Sequence, residues 1–325
     1  MFFFNYLKIT KELKFYFNPP QKSNLLIYDR ASIPYAALLF KNNFNAVYDT
    51  RFESVNFYIF FKTLFSKGYK NFFIEYKKIY FKCVSPKIVY TAIDNNVGFY
   101  RLKKLYPNAS YIADQNGLRN NDFYKLCQNA IKKKIKLYTD YFFCFGTNEL
   151  YRLKKIIRGN IIPLGNTKNN QILLNKKNKK NKIKKIIFIS SGKFSSDFLE
   201  NDIKVFSHLQ LYCKANKIKL YFLDRPRLDR YKFLHNYLRF NFNYISSSNS
   251  INNYKLFKKN TLFAFCISTM GYEALSKGLR VASFDHLKFN HGLKKYKKNG
   301  PFWCSDKKYT AVKNTLNKVI NYNEK

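Results

Sequence analysis

The stretch Ser268-Thr269-Met270-Gly271-Tyr272-Glu273 combines residue types that suit an anion and a polyol. An apolar run, Thr261 to Ile267, precedes it. Ala274 to Gly278 follows, and Arg280 to Phe284 is apolar again. Apolar runs this short read as buried strands, and a glycine just beyond a helical period reads as a helix end. The unit is strand, small-residue turn, helix, strand, and ligands of such units sit beyond the carboxyl ends of the strands. Backbone N–H groups at that turn meet a helix N-terminus, which stabilises a phosphate. Ser268, Thr269 and Gly271 are the candidates to hold it. Glu273, expected in the first helical turn and facing a cleft, is the candidate to accept from sugar hydroxyls, so its truncation should leave the fold nearly intact. The same residues also serve a helix without any ligand, Ser268 or Thr269 as N-cap and Glu273 as complement to the dipole.

The elements around this stretch alternate. In the first half Leu25 to Asp29, Ala46 to Tyr48, Lys87 to Ile93, Ser110 to Ala113 and Tyr141 to Phe145 read as strands. Between them Pro34 to Lys41, Val55 to Phe65, Phe99 to Leu105, Lys125 to Lys136 and Glu149 to Ile157 read as helices, and Phe72 to Phe81 fits either type. The second half has strands at Ile186 to Ser190, Leu220 to Leu223 and Tyr244 to Ser246 ahead of the central unit. Its helices are expected at Phe198 to Lys214, Tyr231 to Leu238, Tyr254 to Lys258 and Tyr309 to Ile320. Alternation in both halves predicts an α/β chain of two Rossmann-like domains with parallel sheets facing across a cleft. The expected boundaries are 1–165, a Lys/Asn-rich linker or loop at 166–185 that is too polar to pack, and 186–325.

Parallel sheets would gather the strand-end residues of each half on one side. The first half contributes Asp94, Asn95, Gln115 and Asn116, with Asp29 and Asp49, a set that suits a sugar hydroxyl acceptor. The second contributes Ser191, Lys193, Arg225, Asp285 and His286 beside the Ser268 turn, a set that suits a leaving phosphate. Group transfer of this kind needs a base near the acceptor and electrostatic stabilisation of the leaving group. Asp94 or His286 would be the base, and Lys193 and Arg225 the cations.

Composition sets the outer limits. With 325 residues, 46% hydrophobic and 19% aromatic, the chain has material for two cores. A formal net charge of +41 suggests an anionic partner, nucleic acid or membrane surface. The lysines are nevertheless spread along the chain, and heavy use of Lys, Asn, Ile, Phe and Tyr is what an AT-rich coding sequence gives. The six cysteines show no CxxC pair or zinc spacing, which fits a reducing cytoplasm. With four histidines, a multi-histidine metal site is not expected. His208 and His235 fall in helical stretches, while His286 and His291 flank a loop near the candidate site. The fingerprints GxGxxG, GxxxxGK[ST] and GxSxG are missing. No apolar run reaches membrane-spanning length. Met1 to Phe17, aromatic and basic, reads as a helix packed on the first domain or as an interfacial anchor. Trp303, after Gly300-Pro301-Phe302, reads as a packing anchor.

Five motifs occur in order: Tyr90-Thr91-Ala92-Ile93-Asp94-Asn95, Phe99-Tyr100-Arg101-Leu102, Asp114-Gln115-Asn116-Gly117-Leu118-Arg119, Ser268 to Ala274, and Gly300-Pro301-Phe302-Trp303. Together, from about residue 25 to residue 305, they resemble a bacterial family of surface carbohydrate biosynthesis proteins, transferases of capsule and O-antigen gene clusters. The resemblance implies the GT-B fold and a nucleotide-activated sugar donor. The expected function is therefore a metal-independent glycosyltransferase without a resident cofactor, moving a sugar from a nucleotide sugar to a glycan or lipid-linked acceptor. It would work in the cytoplasm, at the inner face of the membrane where its charge meets anionic lipid, with no specific nucleic acid as partner. The alternatives are a nucleotide-sugar epimerase or polyol-phosphate transferase of similar shape, and a basic nucleic-acid-binding protein.

Overall fold

The structure, a computed structural model, describes residues 13–51, 54–66, 71–119, 121–171, 182–192, 196–225, 242–246, 252–284 and 299–322. The chain divides into two compact units, Met1–Thr167 and Lys168–Lys325.

In the first unit β1 (Lys14–Tyr16) pairs with β4 (Ser54–Asn56) in a two-stranded parallel sheet. The main sheet has the order β3-β2-β5-β6-β7-β8, every pairing parallel. Its strands are β2 (Leu25–Tyr28), β3 (Ala46–Tyr48), β5 (Ile88–Thr91), β6 (Ser110–Asp114), β7 (Tyr138–Cys144) and β8 (Arg158–Pro163). Helices α1 (Ile33–Phe40), α2 (Phe57–Leu64), α3 (Phe72–Val84), α4 (Leu102–Leu105), α5 (Asn121–Lys132) and α6 (Thr147–Leu153) lie between them. All four residues of β2 are buried, as a parallel strand covered on both faces requires. Alternation then sends Leu26 and Tyr28 into one core with Phe81, Phe99 and Phe142, and Leu25 and Ile27 into the other with Ala36 and Tyr90. Each fully buried side chain of this size contributes about 1.5–3 kcal/mol.

The second unit repeats the plan. Its sheet has the order β11-β10-β9-β12-β13-β14, again parallel throughout. The strands are β9 (Lys185–Ile189), β10 (Lys219–Leu223), β11 (Asn243–Ile245), β12 (Thr261–Phe265), β13 (Arg280–Phe284) and β14 (Trp303–Cys304). Among the described residues its helices are α7 (Ser196–Ala215), α8 (Thr269–Ser276) and α9 (Tyr309–Asn321). Ile186 and Phe188 of β9 pack with Phe206, Phe222 and Leu262, while Ile187 and Ile189 pack with Phe263, Phe265 and Ala274.

Several elements differ from the expectation, each for a local reason. The helix expected from Val55 begins at Phe57, because Asn56 caps it through its side chain to Ile59 N–H (3.0 Å) and residues 54–56 are taken by β1. Phe72 to Phe81, which fits either type by pattern, is helical to Val84 and stops at Ser85 in a left-handed conformation (φ 51°). Lys14–Tyr16 of the opening segment is a strand, and residues 1–12 lie outside the described residues, as do 226–241 with His235. Phe99–Arg101 and Asn252–Leu256 are 3-10 turns where full helices are expected. Within the expected linker, Thr167–Gln171 forms a 3-10 turn and Lys168 is buried. Trp303 has the packing role: a Cβ on Gly300 would lie 2.2 Å from the indole ring. All six cysteines are free thiols, and burial pushes Cys127 and Cys213 up to about 12. Among the described residues no helix is long and apolar enough to cross a membrane, and no cluster of His, Cys, Asp and Glu is placed to hold a metal ion.

Candidate functional site

Counting its strands from one, the sheet of the second unit runs 3-2-1-4-5-6, so the strand order reverses between β9 and β12. In open parallel sheets the crevice beyond the carboxyl ends at that reversal is where ligands bind. Two turns border it: Ser190-Ser191-Gly192 after β9, and Cys266-Ile267-Ser268 after β12. Ser268 is the N-cap of α8 in extended conformation (φ −150°, ψ 127°), and its side chain makes no capping hydrogen bond. The cap position at the crevice thus carries a half-buried hydroxyl that the helix does not use.

Gly271 and Glu273 are placed differently from the expectation. Gly271 is buried beneath the Phe265 ring, and a Cβ there would lie 2.2 Å from the ring carbon Cδ1. It serves the close approach of α8 to β12, and its N–H remains among the first of the helix. Gly271→Ala is expected to cost about 1–3 kcal/mol by overpacking, read as a lowered denaturation midpoint. Glu273 is the fifth helical residue, beyond the first turn, and only 4% exposed. Its Oε2 accepts from the Tyr254 hydroxyl (2.5 Å), and its Oε1 lies 3.1 Å from Lys168 Nζ. The carboxylate is a buried partner of a buried lysine. Lys168 and Tyr254 escaped the sequence reading, the first because it stands in a Lys/Asn run that looks unable to pack.

The turn after β9 is clasped from below. Asp202 of α7 accepts from Ser191 N–H (2.7 Å), Ser191 Oγ (2.6 Å) and Ser190 Oγ (3.1 Å). The Ser191 hydroxyl is therefore committed to the fold. Gly192 takes φ 67°, and the aliphatic stem of Arg225 lies directly over it, 2.5 Å from where a Cβ would stand. Glycine is required there twice, for the left-handed backbone and for the arginine. This close approach sets the exposed Arg225 side chain beside the crevice. Lys193, Asp285, His286 and His291 lie outside the described residues. His208 of α7 is half-buried, its pKa lowered by burial and by Lys204.

In the first unit the order reverses between β2 and β5. Asp29, Asp49 and Asp94 are each paired with an arginine. Asp29, held at φ 79°, accepts from Ala31 N–H (2.9 Å) and the Thr50 hydroxyl (2.5 Å) and lies 3.5 Å from Arg51 Nε. Arg30 donates twice to Asp49 (2.9 and 2.7 Å), which also accepts from Ser54 Oγ (2.5 Å). Asp94, 0% exposed, is gripped by Arg119: Nε donates to Oδ2 (2.6 Å) and Nη2 to Oδ1, which also accepts from Asn116 N–H (3.1 Å). Burial works against the Arg119 charge, but Asp94 outweighs it and holds the guanidinium pKa above its ordinary value.

The base role expected for Asp94 is thereby corrected. Both its oxygens are occupied, and what it does is fix Arg119 and the turn after β6. Gln115 is likewise spent on the fold: its Oε1 accepts from Phe145 N–H (2.9 Å) and its Nε2 donates to the Gly117 carbonyl (3.0 Å). Asn116 Oδ1 accepts from Arg119 Nη2 (2.6 Å), and Asn95 is exposed in the turn after β5. Arg119 stands in the third motif, but a lone arginine carries no spacing signal that would mark its role.

Comparisons with known proteins agree with this architecture. Three solved structures align over nearly the whole of both chains. For the UDP-GlcNAc 2-epimerase of Neisseria meningitidis bound to UDP-GlcNAc, the identity is 12% and the TM-score 0.57, covering 92% of this chain and 91% of that one. For the S. aureus MnaA–UDP co-structure the identity is 12% and the TM-score 0.55, covering 96% and 88%. For the Methanocaldococcus jannaschii UDP-GlcNAc 2-epimerase in complex with UDP-GlcNAc and UDP the values are 13% and 0.54, covering 92% of each chain. At such identity the likeness shows the fold, two Rossmann-like units of the GT-B kind. No curated protein matches the sequence. A family model described as "putative O-antigen biosynthesis protein" matches residues 112–325, which include the motif around Arg119 and all of the second unit. The chain belongs to that O-antigen biosynthesis family.

Proposed function

We propose that the protein is a glycosyltransferase that moves a sugar from a nucleotide-activated donor to a surface polysaccharide or lipid-linked acceptor. The observation that carries this reading is the crevice of the second unit, where a helix N-terminus with an unused Ser268 hydroxyl and the Gly192-seated Arg225 border the sheet reversal. Ser268, Thr269 and the first N–H groups of α8 hold the donor phosphate, and Arg225 and Lys193 neutralise charge on the leaving group. Such cations and a helix dipole can supply the stabilisation that a metal ion gives elsewhere, so the reaction proceeds without metal or resident cofactor. With Asp94 occupied, His286 takes the proton of the acceptor hydroxyl. The basic surface holds the protein at the inner, cytoplasmic face of the membrane, where a lipid-linked acceptor is presented.

A second reading, nucleotide-sugar epimerisation, is favoured by the fold likeness over nine-tenths of both chains. Removing and returning a proton at carbon needs unencumbered acid–base groups. The pairing of Asp29, Asp49 and Asp94 with arginines supports transfer instead. A thermal-shift screen across nucleotides identifies the donor class, since a ligand of the folded state raises the midpoint by an amount that grows with the logarithm of its concentration over Kd. Labelled sugar nucleotide is then incubated with and without membrane-lipid extract. Nucleotide release that requires acceptor is the expected result, and interconversion without acceptor overturns it in favour of epimerisation.

A further inference from the structure

Lys77 stands in α3 at the reversal point of the first unit's sheet, where its neighbours are aromatic rings. Its Nζ donates to the Tyr28 hydroxyl (3.2 Å) and lies 5.6 and 5.7 Å from the centres of the Tyr28 and Tyr48 rings. Among the described residues no carboxylate lies within ion-pair distance of it. Burial, and then the nearby Arg101, pull its pKa down from 10.5 to about 8. It lines a crevice of about 230 Å³ whose walls include Tyr28, Tyr48, Phe60 and Phe72, with Asp49 and Asn96 among its polar residues. Asp49 is already neutralised by Arg30. The crevice therefore offers a cation among aromatic rings, beyond the ends of β2, β3 and β5, where open parallel sheets take ligands.

The aromatic wall does not stop at the crevice. Phe60 and Phe72 continue ring to ring, at 5.2–6.0 Å between centres, to Phe57, Phe61 and Phe73. Phe61 and Phe73 are about half exposed, and neighbouring Phe65 is 88% exposed. An apolar track thus runs from the surface to the amine.

We propose that this crevice binds the phosphate of a phosphorylated acceptor, with Lys77 as its cation and the aromatic wall along the group that carries it. The word acceptor rests on the transferase reading; the anion site does not. A half-buried ammonium without a counter-ion is unfavourable in the empty protein, and an arriving phosphate supplies the missing partner. Burial lifts the Tyr28 phenol well above its ordinary range, so it keeps its proton to donate to a phosphate oxygen. The groups facing Lys77 are Tyr28 from β2, Tyr48 and Asp49 from β3 and its turn, Tyr76 and Tyr80 from its own helix, and Arg101. The four phenols are all shifted upward, chiefly by burial. Lys77 is then the group whose charge changes near pH 8, and phosphate affinity falls as the pH rises through it.

Calorimetric titration of the full chain with dodecyl phosphate and with glucose 1-phosphate, without any donor, tests this. Lys77→Met is expected to weaken binding roughly tenfold or more at about pH 7, the size of one charge-assisted hydrogen bond, with an unchanged or higher melting temperature. Lys77→Arg should retain binding and lose its decline between about pH 7 and about pH 9.5. Binding of dodecyl phosphate alone assigns a lipid carrier, and of glucose 1-phosphate alone a soluble sugar phosphate. Binding of neither probe, or equal binding by Lys77→Met, overturns the site. Lys77-dependent phosphate binding in a protein that turns over no sugar nucleotide would leave the site standing and remove the transferase reading.

Discussion

Asp94→Ala is expected to lower the stability of the first unit by about 3–5 kcal/mol, the loss that follows when one partner of a buried ion pair is removed. Arg119, its side chain 10% exposed, would be left with a charge that water does not reach. The Asn116 N–H would lose its acceptor as well. The measurement is urea denaturation followed by far-UV circular dichroism. Asp94→Leu combined with Arg119→Met should recover most of the loss, because two apolar side chains of similar volume replace a buried pair at little net cost. A catalytic base facing a substrate gives the opposite pattern, full stability with lost activity. An Asp94→Ala protein as stable as the parent would return Asp94 to that role.

Glu273→Ala should produce a comparable loss in the second unit, about 3–5 kcal/mol, since Lys168 (6% exposed) would keep its charge in a site closed to solvent. Trp303, the single tryptophan, lies in this unit, so its fluorescence reports the transition. The Tyr254 hydroxyl loses its 2.5 Å acceptor in the same step. Lys168→Met combined with Glu273→Gln removes both charges and keeps an acceptor for Tyr254, and it should restore most of the stability. If Glu273→Ala instead unfolds at the parent's urea concentration and only nucleotide affinity drops, the carboxylate serves the ligand and Lys168 is paired elsewhere.

The parallel architecture was legible because strands covered on both faces must be apolar throughout: Leu25–Tyr28 and Thr261–Phe265 announce themselves by composition alone. Gly278 at the end of α8 was legible for the same kind of reason, since its φ of 71° suits glycine. The roles of polar residues were not. Asp94, Gln115 and Glu273 look alike as strand-end or helix-start polar groups, and only their partners distinguish a residue that meets a ligand from one that holds a turn. Those partners, Arg119, Phe145 and Lys168, stand at separations that no periodicity encodes. Gly271 is ambiguous in another way. Glycine near a helix start suits both phosphate approach and helix–strand contact, and the Phe265 ring shows that the second is in use.

The central position of β9 has a consequence for how the second unit comes into being. β9 is the first strand of that sheet to be synthesised, yet it ends between β10 and β12, and β12 begins only at Thr261. At ribosomal rates of about 5–20 residues per second, the whole stretch from Ser190 to Asn260 takes roughly 4–14 s to appear. Throughout that interval the Lys185–Ile189 edge, with Ile186 to Ile189 fully apolar, has no strand on its β12 side. The newborn chain must keep that edge from pairing with another copy until its own residues arrive, which makes the rate of translation part of the folding problem of this sequence.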